Sequence, residues 1–123
     1  MIFVFGGRYS GKGEYVMREM NVSKIAGYDA EYDRLKTAQA VRDLHLLIKK
    51  IMLDGGNPIA HIQRLIADNP DIIIISDEIG YGVVPVNKFD REWREAVGRI
   101  SCYLAEKAET VIRVVCGIGS TIK

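Results

Sequence analysis

The sequence has few cysteines, no excess of either charge and no long apolar run, and each shortage excludes a class of protein. Only Cys102 and Cys116 occur among the 123 residues. This excludes a disulfide framework and a CxxC metal site, and it favours reduced thiols in a cytoplasmic protein. Lys and Arg number 17 against 16 Asp and Glu, which gives a formal net charge of +1. A nucleic-acid or membrane-surface binder would carry a basic excess, so neither partner is expected.

No apolar run approaches the ~18 residues that a membrane-spanning helix requires, so no membrane span is predicted. The first residues are apolar but lack a basic leader and a cleavage site, which argues against a signal peptide. A chain of 123 residues is long enough to bury a hydrophobic core without disulfides or a structural metal. We therefore predict one domain over residues 1–123.

The richest stretch is the first dozen residues. Residues 1–5 form an apolar run, predicted as a central strand buried on both faces, and residues 14–20 are predicted as a helix. Between them lie Gly6, Gly7, Arg8, Tyr9, Ser10, Gly11, Lys12 and Gly13. A strand, a glycine-rich turn ending in Gly-Lys and a helix are typical of a phosphate-binding P-loop. The alternative is a glycine-rich βα turn with an exposed lysine.

This glycine-rich loop, residues 6–13, is predicted to bind nucleotide phosphate through all eight residues. Its glycines let backbone N–H groups point at an anion, and the helix N-terminus adds a partial positive charge. Lys12 is expected to reach the outer phosphates and to act in catalysis. The loop departs from the usual pattern at Gly13, because a P-loop carries there the Ser or Thr hydroxyl that holds Mg²⁺. The loop therefore supplies no hydroxyl ligand at position 13 for the expected Mg²⁺.

The remaining chain alternates between strand and helix patterns. Apolar residues recur every three or four positions from Leu35 to Ile51, which predicts one long helix over residues 31–53. The other predicted strands cover residues 22–27, 72–75, 110–116 and 120–123, the other predicted helices residues 57–68 and 89–108, and residues 117–119 a turn. This order predicts an α/β, P-loop NTPase-like three-layer fold with a mainly parallel sheet and a short C-terminal return strand.

A second candidate element follows the isoleucine-rich strand. Asp77 and Glu78 open a loop predicted over residues 76–85, and ligands of parallel sheets bind beyond the carboxyl ends of strands. Both carboxylates are predicted Mg²⁺ ligands, and Glu78 is a candidate to activate a hydroxyl. The alternative is that these carboxylates cap the following turn.

Single residues elsewhere have simpler interpretations. His45 lies beside an apolar stripe, which favours a packed histidine over a nucleophile. His61 falls off the apolar side of its helix and is expected to be solvated. Trp93 is predicted as core and Cys116 as a small buried hydrophobe. Arg94 is expected to lie near the site.

The segment Ser76-Asp77-Glu78-Ile79-Gly80-Tyr81-Gly82-Val83-Val84-Pro85, with Asn87, Arg94-Glu95 and Gly98-Arg99 after it, resembles one family closely. It is similar to the adenosylcobinamide kinase/adenosylcobinamide-phosphate guanylyltransferase family of cobalamin biosynthesis. The closing Val115-Cys116-Gly117-Ile118-Gly119-Ser120-Thr121-Ile122-Lys123 and the loop from Gly6 to Lys12 also resemble that family. The resemblance covers residues 1–13 and about 72–123.

The resemblance implies a homo-oligomeric nucleotide-binding protein that uses GTP or ATP. The family phosphorylates adenosylcobinamide and then transfers GMP through a histidine. The middle of this chain is shorter and has no counterpart of the histidine motif, so kinase chemistry is more plausible than guanylyl transfer. The alternative is a degenerate, non-catalytic protein that binds nucleotide or a partner. Gly13, Asp77 and Ser101-Cys102 depart from the family's usual residues.

Overall fold

The computed structural model describes residues 1–79 and 87–123. The predicted features at residues 80–86 lie outside this description. The strands are β1 Ile2–Gly6, β2 Ile25–Ala26, β3 Ala40–Val41, β4 Ile73–Asp77, β5 Thr110–Val115 and β6 Ile118–Thr121. The helices are α1 Lys12–Glu19, α2 Tyr32–Leu35, α3 Leu44–Leu53, α4 Pro58–Asp68 and α5 Lys88–Lys107.

The six strands form one sheet in the order β2-β3-β4-β1-β5-β6. β1 pairs in parallel with β4 on one side and with β5 on the other, so the predicted central position of the first strand is confirmed. β6 alone runs antiparallel, along β5. The predicted α/β class, the mainly parallel sheet and the short C-terminal return strand are therefore confirmed.

Successive residues of the central strands point to opposite faces of the sheet. Phe3, Ile74 and Val111 belong to a core cluster that contains buried residues of α3, α4 and α5. Val4 and Ile75 belong to a second cluster, which contains Val16 of α1. Helices thus cover both faces of the sheet, which explains why its central strands are apolar throughout.

The predicted helix over residues 31–53 is wrong. The segment contains α2, the two-residue strand β3 and α3, and β3 is hydrogen-bonded between β2 and β4. The apolar spacing was a correct sign of burial, since Leu35, Val41 and Ile48 are all buried. It misidentified the element because two buried strand residues show no period of their own and can match a helical spacing by chance.

The strand ends also differ from the predictions. Asp77 is the last residue of β4 rather than part of a loop, because it continues the parallel register opposite Gly6. β6 begins at Ile118, so the chain reverses at Cys116 and Gly117, both of which have positive φ. Cys116 is exposed rather than buried, because it occupies this reversal and not the sheet interior.

Local sequence signals located the helix starts well. The Asn57 side chain accepts a hydrogen bond from the N–H of Ala60, and Pro58 is the first residue of α4. The Asn87 side chain accepts hydrogen bonds from Phe89 and Asp90 at the start of α5. Both are side-chain N-caps that satisfy otherwise unpaired backbone donors. Within residues 1–79 and 87–123, no helix is both long and apolar enough to cross a membrane.

We predict that Leu104→Ala lowers the free energy of unfolding by about 2–5 kcal/mol, because it leaves a cavity in the core between α5 and the sheet. Leu104 is fully buried, whereas Leu53 at the end of α3 is 66% exposed. Urea denaturation of both Leu→Ala variants checks this. Equal effects of Leu104→Ala and Leu53→Ala would contradict the placement of Leu104 in the core.

Candidate functional site

The carboxyl ends of β1, β3 and β4 meet at one edge of the sheet, and a cavity of about 900 Å³ opens there. The described part of its wall includes residues 8–13 of the glycine-rich loop, Glu14 of α1, Asp43 after β3, and Asp77 and Glu78 at the end of β4. Strands far apart in sequence thus place a cationic loop and carboxylates around one space. This is where a parallel sheet is expected to bind its ligand.

The glycine-rich loop turns sharply between β1 and α1. Tyr9 and Gly11 have positive φ, at 60° and 85°, and Gly11 precedes the first residue of α1. Gly6 lies so close to β5 that a Cβ would come within 2.3 Å of the Val114 carbonyl oxygen. Only glycine therefore fits at the strand end. The Ser10 Oγ is buried without a hydrogen-bond partner among the described residues. Such unpaired groups are rare, because a buried hydroxyl without a partner costs free energy.

Lys12 is the cation at the centre of the site. Its side chain donates a hydrogen bond to the Gly7 carbonyl oxygen at 2.8 Å, and its Nζ lies 2.7 Å from Asp77 Oδ1. The residue is only 8% exposed, and a lysine that is so buried requires an anionic partner. Lys12 is therefore buried in the site and is not the exposed lysine of the alternative.

His45 holds the other side of the Asp77 carboxylate. The Asp77 N–H donates to His45 Nδ1 at 3.3 Å, and His45 Nε2 lies 3.4 Å from Asp77 Oδ2. Because Nδ1 accepts, the proton of the neutral imidazole is assigned to Nε2, facing the carboxylate. Burial lowers the pKa of His45, and the nearby Lys12 and Arg8 lower it further, against the opposing effects of Asp77 and Asp43. His45 is thus a packed histidine, as expected, but one that lines the site.

Asp43 brings a second carboxylate towards Asp77. Ligand atoms of Asp43, His45 and Asp77 all lie within 4.8 Å of one another. Because both ring nitrogens of His45 face Asp77, its imidazole is less available as a ligand than the two carboxylates. Carboxylate oxygens suit a hard cation such as Mg²⁺. The residues present therefore fit Mg²⁺ through Asp43 and Asp77.

Glu78, the other predicted metal ligand, is directed to the neighbouring strand. Its Oε1 accepts a hydrogen bond from Arg113 Nε at 2.9 Å, and its backbone N–H donates to the Gly6 carbonyl oxygen at 2.8 Å. Glu78 still lines the cavity. Its orientation is fixed by Arg113 of β5, and it lies outside the group formed by Asp43, His45 and Asp77.

Helix α5 supplies the far wall of the cavity. Trp93 and Arg94 line it, and the Trp93 indole N–H donates to the His45 carbonyl oxygen at 2.8 Å. Trp93 is therefore partly in the site rather than simply in the core. Arg94 lies near the site as expected. His61, expected to be solvated, is partly buried. Its Nδ1 is buried, and its ring packs edge-on against Tyr32 with 5.4 Å between the ring centroids.

Sequence reasoning missed Asp43 and the role of His45. The predicted helix over residues 31–53 places both residues in its interior, where Asp43 does not face Asp77. The available signal was the order of residues. Asp43 comes shortly after the apolar residues Ala40 and Val41, which is the position of an acidic residue at the end of a buried strand. Asp43 has a φ of 59° and lies two residues after the end of β3, directly before the first residue of α3.

The fold and site together define an α/β protein of the P-loop NTPase-like type, in which a glycine-rich loop faces carboxylates at the adjacent strand ends. A sequence model of the family described as "Cobinamide kinase / cobinamide phosphate guanyltransferase" matches residues 30–122, well over half of the chain. The chain belongs to this family. The match begins after the glycine-rich loop, so the assignment of that loop rests on its own pattern and geometry.

Two similar proteins are each named "Bifunctional adenosylcobalamin biosynthesis protein CobU". The one from Salmonella typhimurium is 40% identical over 52 residues, which cover 42% of this chain and 29% of that protein. The one from Escherichia coli is 38% identical over 68 residues, covering 52% of this chain and 38% of that protein. The chain thus matches well under half the length of these relatives.

We predict that the His45→Asn variant loses less stability than the wild type when the pH falls below 6.5. The pKa of His45 is lowered from its ordinary value of 6.5, so the unfolded chain binds a proton before the folded protein does. The contribution of His45 to the free energy of unfolding is therefore fully present above pH 6.5, where the imidazole is neutral in both states. This contribution is lost as the pH falls towards the lowered pKa of the folded protein.

Asparagine keeps an oxygen that can accept the Asp77 N–H but does not titrate. Urea denaturation of both proteins between pH 7.5 and about 5 checks this, since an unperturbed histidine titrates within that range. His61→Asn is the comparison variant. Burial also lowers the pKa of His61, so this variant measures the effect of the histidine that does not contact Asp77. Parallel curves for the wild type and His45→Asn would contradict the prediction.

Proposed function

We propose that the glycine-rich loop binds the triphosphate of GTP or ATP, and that the chain is a kinase-type phosphotransferase of cobalamin biosynthesis. The observation that carries this is the buried Lys12, whose Nζ lies between the Gly7 carbonyl oxygen and Asp77 Oδ1. A cation at the base of a glycine-rich loop, at the start of a helix, suits the outer phosphates of a nucleotide. Family membership supplies adenosylcobinamide as the proposed acceptor.

The loop offers more than charge. Its backbone N–H groups and the first turn of α1 are suited to an anion, and the buried Ser10 Oγ lacks a partner among the described residues. A phosphate oxygen would satisfy that hydroxyl. These features support a binding role for residues 6–13, although Gly13 supplies no hydroxyl for a metal.

The proposed roles follow from position. Lys12 neutralises charge on the transferred phosphate. Asp77 and Asp43 would hold Mg²⁺, which would offset the negative charge of the nucleotide phosphates. Glu78, oriented by Arg113, accepts the proton of the acceptor hydroxyl. The hydroxyl oxygen forms a bond to the γ-phosphorus as the bond to the β–γ bridging oxygen breaks, and the nucleoside diphosphate leaves.

Covalent guanylyl transfer is less well supported. The sequence has two histidines. Both nitrogens of His45 face Asp77, and His61 belongs to α4 and is absent from the described part of the cavity wall. Neither imidazole is free to attack a nucleotide in the cavity. An acid-labile protein adduct after incubation with labelled GTP would show this part of the proposal to be wrong.

The second candidate function is a degenerate protein that binds nucleotide or a partner without turnover. The observation in its favour is Gly13, where a working P-loop carries a hydroxyl. Consumption of GTP or ATP with and without adenosylcobinamide separates the two candidates. Stimulation by adenosylcobinamide supports the kinase, whereas nucleotide affinity without turnover supports the degenerate protein.

Homo-oligomerisation and a cytoplasmic location also stay predictions. Val115, Ile118 and Ile122 near the C-terminus are large apolar residues that are more than half exposed, which suits a subunit interface. Light scattering at working concentration tests the oligomer. A monomer would contradict it.

We predict that Lys12→Met abolishes measurable binding of GTP and ATP in calorimetric titration, because it removes the buried cation of the loop while keeping an unbranched side chain. Lys24→Met is the matched control, since Lys24 is exposed and lies outside the cavity wall. A thermal melt of each variant checks that it folds. Undiminished binding by a folded Lys12→Met variant would refute the role of the loop.

We predict that Asp43→Asn reduces the effect of Mg²⁺ on nucleotide affinity, since the substitution removes one of two proposed carboxylate ligands. Titrations with Mg²⁺ and with EDTA measure that effect as a ratio of dissociation constants. Asp54→Asn is the control, because Asp54 at the end of α3 is exposed. An unchanged ratio in Asp43→Asn would exclude Asp43 as a ligand.

A further inference from the structure

The turn between β5 and β6, residues 115–118, is far from the glycine-rich loop in sequence but contacts it in space. The Gly117 N–H donates a hydrogen bond to the Ser10 carbonyl oxygen at 2.7 Å. A Cβ on Gly11 would come within 3.2 Å of the Gly117 Cα. The two backbones therefore touch at the point where the loop enters α1.

Helix α1 makes two further contacts with the same hairpin. Arg18 donates a hydrogen bond to the Gly117 carbonyl oxygen at 3.1 Å. Tyr15 packs on Gly119 so closely that a Cβ there would come within 2.3 Å of the ring. Both peptide groups of Gly117 thus bond to residues of the loop-helix unit, and Gly119 leaves the space that Tyr15 occupies.

The loop itself contains few bonds that fix its shape. Between β1 and α1, the Ser10 N–H donates a backbone hydrogen bond to the Gly7 carbonyl oxygen at 3.2 Å. Two side chains add bonds within the loop, from Lys12 to the Gly7 carbonyl oxygen and from Arg8 to the Tyr9 hydroxyl. Tyr9 has a φ of 60°, a conformation that costs free energy for a residue with a side chain. Such a segment requires support from outside to keep one conformation.

We propose that the β5–β6 turn is a positioning element that holds the glycine-rich loop in the conformation needed to bind phosphate. Gly117 is the central positioning residue, since its N–H fixes the Ser10 carbonyl and its carbonyl accepts from Arg18. The turn touches the loop from the side of β5, and residues 115–119 are absent from the described cavity wall. The role in ligand binding rests on the proposed function, whereas the support of the loop does not.

A matched pair of glycines allows a sharp test. Gly117 and Gly55 have φ values of 76° and 77°, and neither has an atom within 4 Å of an added Cβ. Gly117→Ala and Gly55→Ala therefore impose the same backbone strain without a clash. Gly55 follows α3, where its N–H donates to the Met52 carbonyl oxygen, and lies outside the described cavity wall.

Hydrogen exchange of the nucleotide-free proteins is the first measurement. We expect amides of residues 8–13 to exchange faster in Gly117→Ala than in the wild type and in Gly55→Ala, because the strained turn releases the Ser10 carbonyl. Similar melting temperatures of the two variants would show that global stability does not explain the difference. Equal exchange of residues 8–13 in both variants would overturn the proposal.

Calorimetric titration with GTP, ATP and inorganic tripolyphosphate is the second measurement. The dissociation constants are expected to rise about ten-fold in Gly117→Ala, equivalent to about 1.4 kcal/mol, and to stay near the wild-type values in Gly55→Ala. Equal dissociation constants in the two variants would contradict the positioning role. If the wild type binds none of the three ligands, the proposed function fails, while the exchange measurement still decides whether the turn supports the loop.

Discussion

The arrangement of the site depends on the Asp77 carboxylate and the two groups that hold it. Lys12 Nζ lies 2.7 Å from one carboxylate oxygen, and His45 Nε2 lies 3.4 Å from the other. Because Lys12 is buried, its charge needs that partner. Asp77 in turn is placed by β4, which continues in parallel register beside β1. The Lys12–Asp77 ion pair thus joins the glycine-rich loop to the strand end, and the contact of His45 with Asp77 joins the strand end to α3.

The same ion pair bears on the proposed chemistry. Lys12 and a divalent cation would both use Asp77, and an arriving triphosphate offers Lys12 a second anion. Phosphoryl transfer depends mainly on positioning and charge neutralisation, so a chain without an available histidine can still support it. The proposed kinase therefore needs the loop, Asp77 and a second carboxylate, and Asp43 provides the latter where Gly13 provides no hydroxyl.

Much of the fold could be predicted because several signals are local. Asn57 and Asn87 cap helices through their own side chains, and the apolar run at residues 72–75 can only be buried. Family membership, which the resemblance over residues 1–13 and about 72–123 predicted, agrees with the match over residues 30–122. The prediction for residues 31–53 was wrong because β3 consists of only two residues, and its pairing with β2 and β4 depends on tertiary contacts.

The sequence by itself determined the glycine-rich loop with Lys12 and, outside residues 31–53, the alternation of strands and helices, because backbone conformation and burial follow from short patterns. Only the tertiary structure decided which polar groups meet. Asp43 and His45 reach Asp77 because parallel strands bring their carboxyl ends to one edge of the sheet. Glu78 turned to Arg113, and Gly117 came to Ser10, since contacts between distant segments depend on strand order, which no local pattern encodes.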